Sequence, residues 1–156
     1  MSANGSREYI DEAIELAVAM CKRFEGFYSR PYLCPAGVPT ISYGATRYAD
    51  GRAVTLSDPP MSRTDGEQLL RHQLRSIYLK QTVALCPGAD TPERLAALLD
   101  FAYNLGAANL KQSTLRRKVN AQDWAEARIQ IRRWNRASGK VLRGLTLRRE
   151  AEAQLL

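Results

Sequence analysis

Apolar residues return every three or four positions from Ile10 through Ile14, Ala17, Val18 and Cys21, which is the spacing of one buried face on an α-helix. The helix this predicts begins near Arg7 and delivers Phe24 and Glu25 at its end, where Gly26 is placed to stop it. The polar residues before Arg7 are expected to be loose. The pattern then changes. Tyr32 to Gly44 carries short β-like runs on either side of Pro35, Ala36 and Gly37, and this predicts a hairpin in which Pro35 pre-sets the turn and Gly37 relaxes its exit. Pro39 has no N–H to give a central strand, so its strand is expected at an edge. Residues 45–60 contain Asp50, Gly51 and Pro59-Pro60 and read as a second hairpin or an irregular loop.

Helical spacing resumes at Thr64, which with Glu67 has the spacing of a capping box. The helix it opens carries Leu70, Leu74, Ile77 and Tyr78 on one face and runs to about Cys86, before Pro87 and Gly88. At 1.5 Å per residue it spans on the order of 30 Å, long enough to join two lobes. Thr91-Pro92 then reads as an N-cap with proline at the first helical position, followed by Leu95, Leu98, Leu99 and Ala102 at helical spacing, ending at Asn104 and Gly106. Trp124, Ala127, Ile131 and Trp134 share a face, with the tryptophans as core anchors or, alternatively, Trp134 lining a cleft. Gly139 and Gly144 bracket a loop before a last helix from about Leu145. The fold class is therefore mostly helical α+β.

Composition narrows this further. A chain of 156 residues is one domain, or two lobes sharing one chain, and buries a core without metal or disulfide support. No apolar run is long enough to span a membrane, and Glu8, Asp11, Glu12 and Glu15 stand where a signal peptide needs an apolar stretch. The product is thus expected to stay in the cytoplasm until something releases it. Cysteines 21, 34 and 86 are odd in number and form no CxxC, and His72 is the only histidine, so neither a disulfide framework nor a zinc site is expected. Cys86 reads as a packing residue and His72 as a solvated helix residue.

The net charge of +7 is uneven: between Lys111 and Arg149 there are twelve Lys and Arg against Asp123 and Glu126. Such a segment is drawn to polyanions, whether nucleic acid, anionic lipid or a bacterial wall, and charge does not choose among them.

The candidate chemistry lies in EGFYSRPYLCPAGVPTISYG, residues 25–44. Glu25, Cys34 and Thr40 are nine and six residues apart, so a helix-to-hairpin reversal can bring an acid, a thiol and a hydroxyl into one pocket. Spacing alone equally fits a surface Glu, a buried Cys and a strand Thr. The wording, EG followed by the turn and G-x-x-TI-x-YG, resembles the catalytic signature of the phage-type lysozymes, the endolysin family (glycoside hydrolase family 24) that includes the T4 enzyme. The resemblance implies Glu25 as general acid, Thr40 as the hydroxyl beside the attacking water, and Cys34 at a position that holds Asp in the T4 enzyme and Cys in other members. Ser42 departs from the T4 motif, which has Gly there, and Ala45 stands where it has His. FAYNLG resembles the family's F-x-x-N-x-G segment, and STLRRKVNAQDW with RRWNRASGKVLRGLTLRRE resembles its C-terminal lobe. The likeness runs from about Cys21 to the end.

What this implies is a two-lobed fold forming one lysozyme-like domain over 1–156. A small β-rich lobe at about 26–62 holds Cys34 and Thr40, a connecting helix covers about 64–86, and a helical lobe covers about 87–156 plus the N-terminal helix. Asn104 is carried over as substrate-binding. So is Arg148, because an arginine in this region of the family reaches the catalytic glutamate; without the resemblance Arg148 and Arg149 read as solvated charges. The implied activity is hydrolysis of the β-1,4 bond between N-acetylmuramic acid and N-acetylglucosamine in peptidoglycan, with no metal or organic cofactor. Cleavage needs a proton donor for the leaving oxygen and help for the attacking group. Glu25 can donate; Cys34 can position water with Thr40, giving inversion, or attack the sugar as thiolate, giving retention. The implied partners are peptidoglycan and a holin-type permeabilising protein, with no nucleic acid and no membrane anchor, and a monomer that waits in the host cytoplasm and then acts in the periplasm and wall. A basic helical nucleic-acid-binding protein is the competing class, but it leaves residues 25–44 without a basic groove or aromatic platform. An inactive wall-binding relative is a third reading.

Overall fold

The computed structural model describes residues 6–156; the expected loose start at residues 1–5 lies outside the described residues. Helix α1 spans Arg7–Glu25 and is capped by Ser6, whose hydroxyl accepts from the Tyr9 amide. Its apolar stripe of Ala13, Ile14, Ala17, Val18 and Cys21 is buried against α4, Pro92–Leu105. Every residue of α4 from Leu95 to Ala102 is buried, the mark of a central helix. Thr91 caps it as the sequence predicts, accepting from the Arg94 amide at 3.1 Å. Around α4 pack α5 (Ala107–Gln112), α6 (Thr114–Asn120), α7 (Trp124–Arg132) and α8 (Arg143–Ala153).

The hairpin is longer than expected: β1 covers Tyr28–Leu33 and β2 Pro39–Ser42, antiparallel. Three residues of β1, Ser29, Arg30 and Pro31, oppose Ile41 alone between the Tyr28–Ser42 and Tyr32–Thr40 pairs. Pro31, which has no N–H to give, lies in this bulge. With only two strands, both are edges, so Pro39 sits where the sequence places it. Residues 45–60 form an irregular loop held by single bridges, Ile41 to Ala45 and Arg47 to Ala53. Ile41, Ala45, Val54 and Leu69 make a second, smaller core.

Three expectations change. The next helix, α2 (Arg63–Gln73), is capped by Ser62, whose hydroxyl accepts from the Asp65 amide, and not by Thr64. The Met61 amide is held by the Ser29 carbonyl, so the chain stays extended up to Ser62, while Glu67 pairs with Lys22 and Arg71 instead of closing a capping box. The helix runs on through a π-helical turn, Leu74–Tyr78, into α3, Leu79–Leu85. That wider turn takes Ile77 off the buried face that Leu70 and Leu74 share, leaving it 47% exposed. Finally, the loop at Gly139 is a tight hairpin, β3 (Arg136–Ala137) with β4 (Lys140–Val141), and α8 starts at Arg143, two residues early. The architecture is mostly helical α+β with small antiparallel sheets.

Candidate active site

Glu25 is the last residue of α1, and Gly26 follows at φ +71°, a conformation that suits glycine and turns the chain toward the hairpin. The carboxylate borders a cleft of about 280 Å³ lined by Gly44, Gln73, Tyr78, Tyr103 and Asn104 among others. Gly44, at φ +89°, passes so close that a Cβ there would sit 3.5 Å from Glu25 Oε2 and 3.6 Å from the Tyr103 hydroxyl. The Tyr103 hydroxyl donates to the Tyr43 carbonyl, which ties α4 to the end of the hairpin. Burial, with the nearby Cys21, Glu25 and Tyr78, pushes the Tyr103 phenol far up, so it is a neutral donor throughout the working range.

Arg148 donates from Nη1 to Glu25 Oε1 at 2.6 Å and from Nε and Nη2 to the two oxygens of Asp100 at 2.9 and 2.8 Å. It is 4% exposed, and its neighbour Arg149 is fully buried; neither is a solvated charge. Arg149 donates to Glu152 Oε2 at 3.0 Å and to Asn104 Oδ1 at 2.8 Å, so a buried cation fixes the amide that borders the cleft.

Cys34 and Thr40 meet on the hairpin. Thr40 is buried and donates to the Val38 carbonyl at 2.8 Å; the Cys34 amide donates to the same oxygen at 3.1 Å. The half-buried Cys34 thiol is held below its usual range, first by the Val38 backbone, then by the Ala36 backbone, the Thr40 hydroxyl and its own amide. Such a cup of backbone N–H groups favours a thiolate without any cation. Tyr32 links the two halves of the site: its phenol is raised by burial and Tyr28, then by the charges of Glu25 and Cys34. Cys21 and Cys86 are buried, and burial pushes Cys86 up to about 12.

Glu25 and Asn104 thus border one cleft, with Arg148 bonded to Glu25, while Cys34 and Thr40 form a separate contact on the hairpin and do not line that cleft. A roomier hollow of about 560 Å³, bordered by Tyr48, Met61, Leu69 and His72, contains none of the five candidates. Sequence reasoning missed Asp100, Tyr103, Arg149 and Glu152. The signal for Asp100 was legible: a lone acid inside the apolar run LAALLDFAYNL, which is costly unless paired. Among the described residues no helix is long and apolar enough to cross a membrane, and no group of His, Cys, Asp and Glu can hold a metal ion.

The family model for phage lysozyme matches residues 22–152. The SAR-endolysin of Bacteriophage PS119 is 38% identical over 131 residues, which cover 82% of this chain and 73% of that protein. Among solved structures, the endolysin of Escherichia coli O157:H7 phage FAHEc1 superposes with a TM-score of 0.71 at 26% identity, covering 90% of this chain and 89% of that one. The muramidase domain of SpmX from Asticaccaulis excentricus does so with a TM-score of 0.75 at 28% identity, covering 89% and 92%.

Proposed function

The chain belongs to the phage lysozyme family, glycoside hydrolases that cut bacterial peptidoglycan, and on that premise we propose that Glu25, Cys34 and Thr40 carry out the cut, assisted by Asn104 and Arg148. The bond is the β-1,4 link between N-acetylmuramic acid and N-acetylglucosamine. Glu25 protonates the leaving oxygen; the observation that carries this is its carboxylate at the edge of the cleft, one oxygen on Arg148 and the other facing Gly44. Cys34 and Thr40 hold the water that attacks the opposite face, with inversion. Asn104, fixed by Arg149, binds a polar group of the sugar. The chain is read as one domain in which the hairpin segment and the helical core form the two walls of the cleft.

Glu25→Gln keeps the shape but has no proton to give, and loss of general acid catalysis costs about 10²–10⁴ in rate. The expected outcome is a folded protein with that loss in turbidity and reducing-end assays on purified sacculi. Wild-type rates in the variant would end the assignment, and wild-type protein that binds sacculi without releasing reducing ends would identify an inactive wall binder. The enzyme is further proposed to wait in the host cytoplasm and to reach the wall through a holin-type lesion. Expression with and without a holin tests this, since lysis by the enzyme alone contradicts it.

A further inference from the structure

Below the cleft lies a group of charges larger than the reaction needs. Asp100, Arg149 and Glu152 are fully buried and Arg148 nearly so. The carboxyl groups of Asp100 and Glu152 are in hydrogen-bonding contact with each other, and two carboxylates in contact repel unless a proton lies between them. Donors are distributed accordingly: Asp100 receives two N–H groups from Arg148 and the Cys21 thiol at 3.2 Å. Glu152 receives one aligned N–H, from Arg149 Nη2, while Arg149 Nε lies 2.7 Å from Glu152 Oε1 but points off it.

We propose that Asp100 and Glu152 form a carboxylate–carboxylic acid pair sharing one proton, and that this pair is the positioning element that keeps Arg148 turned mainly toward Asp100, with a single N–H for Glu25. A guanidinium facing a general acid favours the ionised acid and so works against proton donation. By holding the proton, Glu152 keeps Asp100 anionic, and Asp100 takes two Arg148 hydrogen bonds where Glu25 receives one. Burial and contact with Asp100 push the Glu152 carboxyl well up, while Asp100 is held down, against burial, by its bonds to Glu152 and Arg148. The charged and titratable groups facing the pair are Cys21 from α1 and Arg148 and Arg149 from α8 itself, with Glu25 reached through Arg148 and with Tyr78 and Tyr103 facing Cys21 and Glu25. From α7, Arg132 is engaged by Glu150 on the outer side of α8 and Arg128 by the Leu156 carbonyl.

The functional half of this rests on Glu25 as proton donor; the proton-sharing half does not. The test uses the whole protein with carbon-13-labelled glutamate carboxyls. We expect one glutamate to remain a protonated acid through neutral pH in the NMR titration, with that signal absent from Glu152→Gln; a spectrum in which every glutamate ionises in the ordinary acid range overturns the pair. In folded variants, Asp100→Asn should lower kcat at least tenfold at neutral pH with KM within twofold, and move the alkaline limb of the pH–rate profile to lower pH. Glu152→Ala should lose rate in the same way, and Glu152→Gln, which still offers Asp100 a donor, should restore most of it. A wild-type pH profile in Asp100→Asn, or no rescue by Gln, overturns the positioning role. Full activity in Glu25→Gln with the protonated-acid signal intact would instead bring down the donor assignment alone.

Discussion

Ser42 shows at the scale of one residue how a departure from the family motif leaves a physical trace. It stands where the T4-type motif has Gly, and its φ is +61°, a conformation costing a side-chain-bearing residue about 1–2 kcal/mol. Its hydroxyl is buried without a partner, a further cost of about 1 kcal/mol, and it fits only because α2 has Gly66 there, where a Cβ would come within 2.5 Å of it. Against this, Gly loses about 0.5–1 kcal/mol more chain entropy on folding. Ser42→Gly should therefore stabilise by about 1–2.5 kcal/mol, a rise in Tm of about 2–10 °C at this size; an unchanged or lower Tm would mean that the hydroxyl is satisfied. Cys34 carries the second prediction at this scale. The sequence offers only Arg30 nearby, which suggests an ordinary thiol, yet backbone amides lower it. Because the thiolate is the reactive form and is favoured in the fold, alkylation of native protein should have its pH midpoint below the free-thiol value of about 8.5. Cys21 and Cys86, buried and shifted upward, should label only on unfolding. Cys34→Asp should stay active and Cys34→Ala should lose most activity, while a β-anomer as first product or a trapped sugar–Cys34 adduct would replace water positioning by direct attack.

Elements whose cause is local were legible in the chain. Helix α4 begins at Thr91-Pro92 and α1 ends at Gly26 because those residues alone satisfy or stop the first and last turns. Where two local signals compete, a distant contact decides. Ser62 and Thr64 can each cap a helix, and the Met61–Ser29 bond selects Ser62. Ser62→Ala should cost about 1 kcal/mol in denaturant melts, the usual worth of an N-cap, and Thr64→Ala only a few tenths; the reverse order would restore Thr64 as the cap. The site was only partly legible for the same reason. Glu25, Cys34 and Thr40 lie within sixteen residues and share a motif, whereas Glu25 and Arg148 are 123 positions apart and Asp100 and Arg148 are 48 apart. No helical periodicity announces that α8 turns two arginines inward to meet an acid of α4.

For the whole molecule, the basic C-terminal segment is less cationic than its count suggests. Of its twelve Lys and Arg, Arg148 and Arg149 are buried among acids and Arg132 is paired with Glu150, leaving nine to act on solvent. A field from nine cations still gathers the enzyme on an anionic wall, so lysis should slow as salt rises from about 10 mM to a few hundred mM and the Debye length falls from about 30 Å to below 10 Å. A flat rate would make the field incidental. The π-helical turn at Leu74–Tyr78 sets the length of the helix it interrupts. Its i→i+5 bonds hold one residue more than the α-helical turns on either side. The connection from Arg63 to Leu85 therefore has a length that its flanking halves do not require, and the surplus falls where Ile77 and Tyr78 reach the cleft and Tyr78 packs 5.3 Å from Tyr103. A helix is ordinarily the worst place for a chain to lose a residue; here removing the spare one would reshape the wall behind Glu25 while both halves of the helix stay in step.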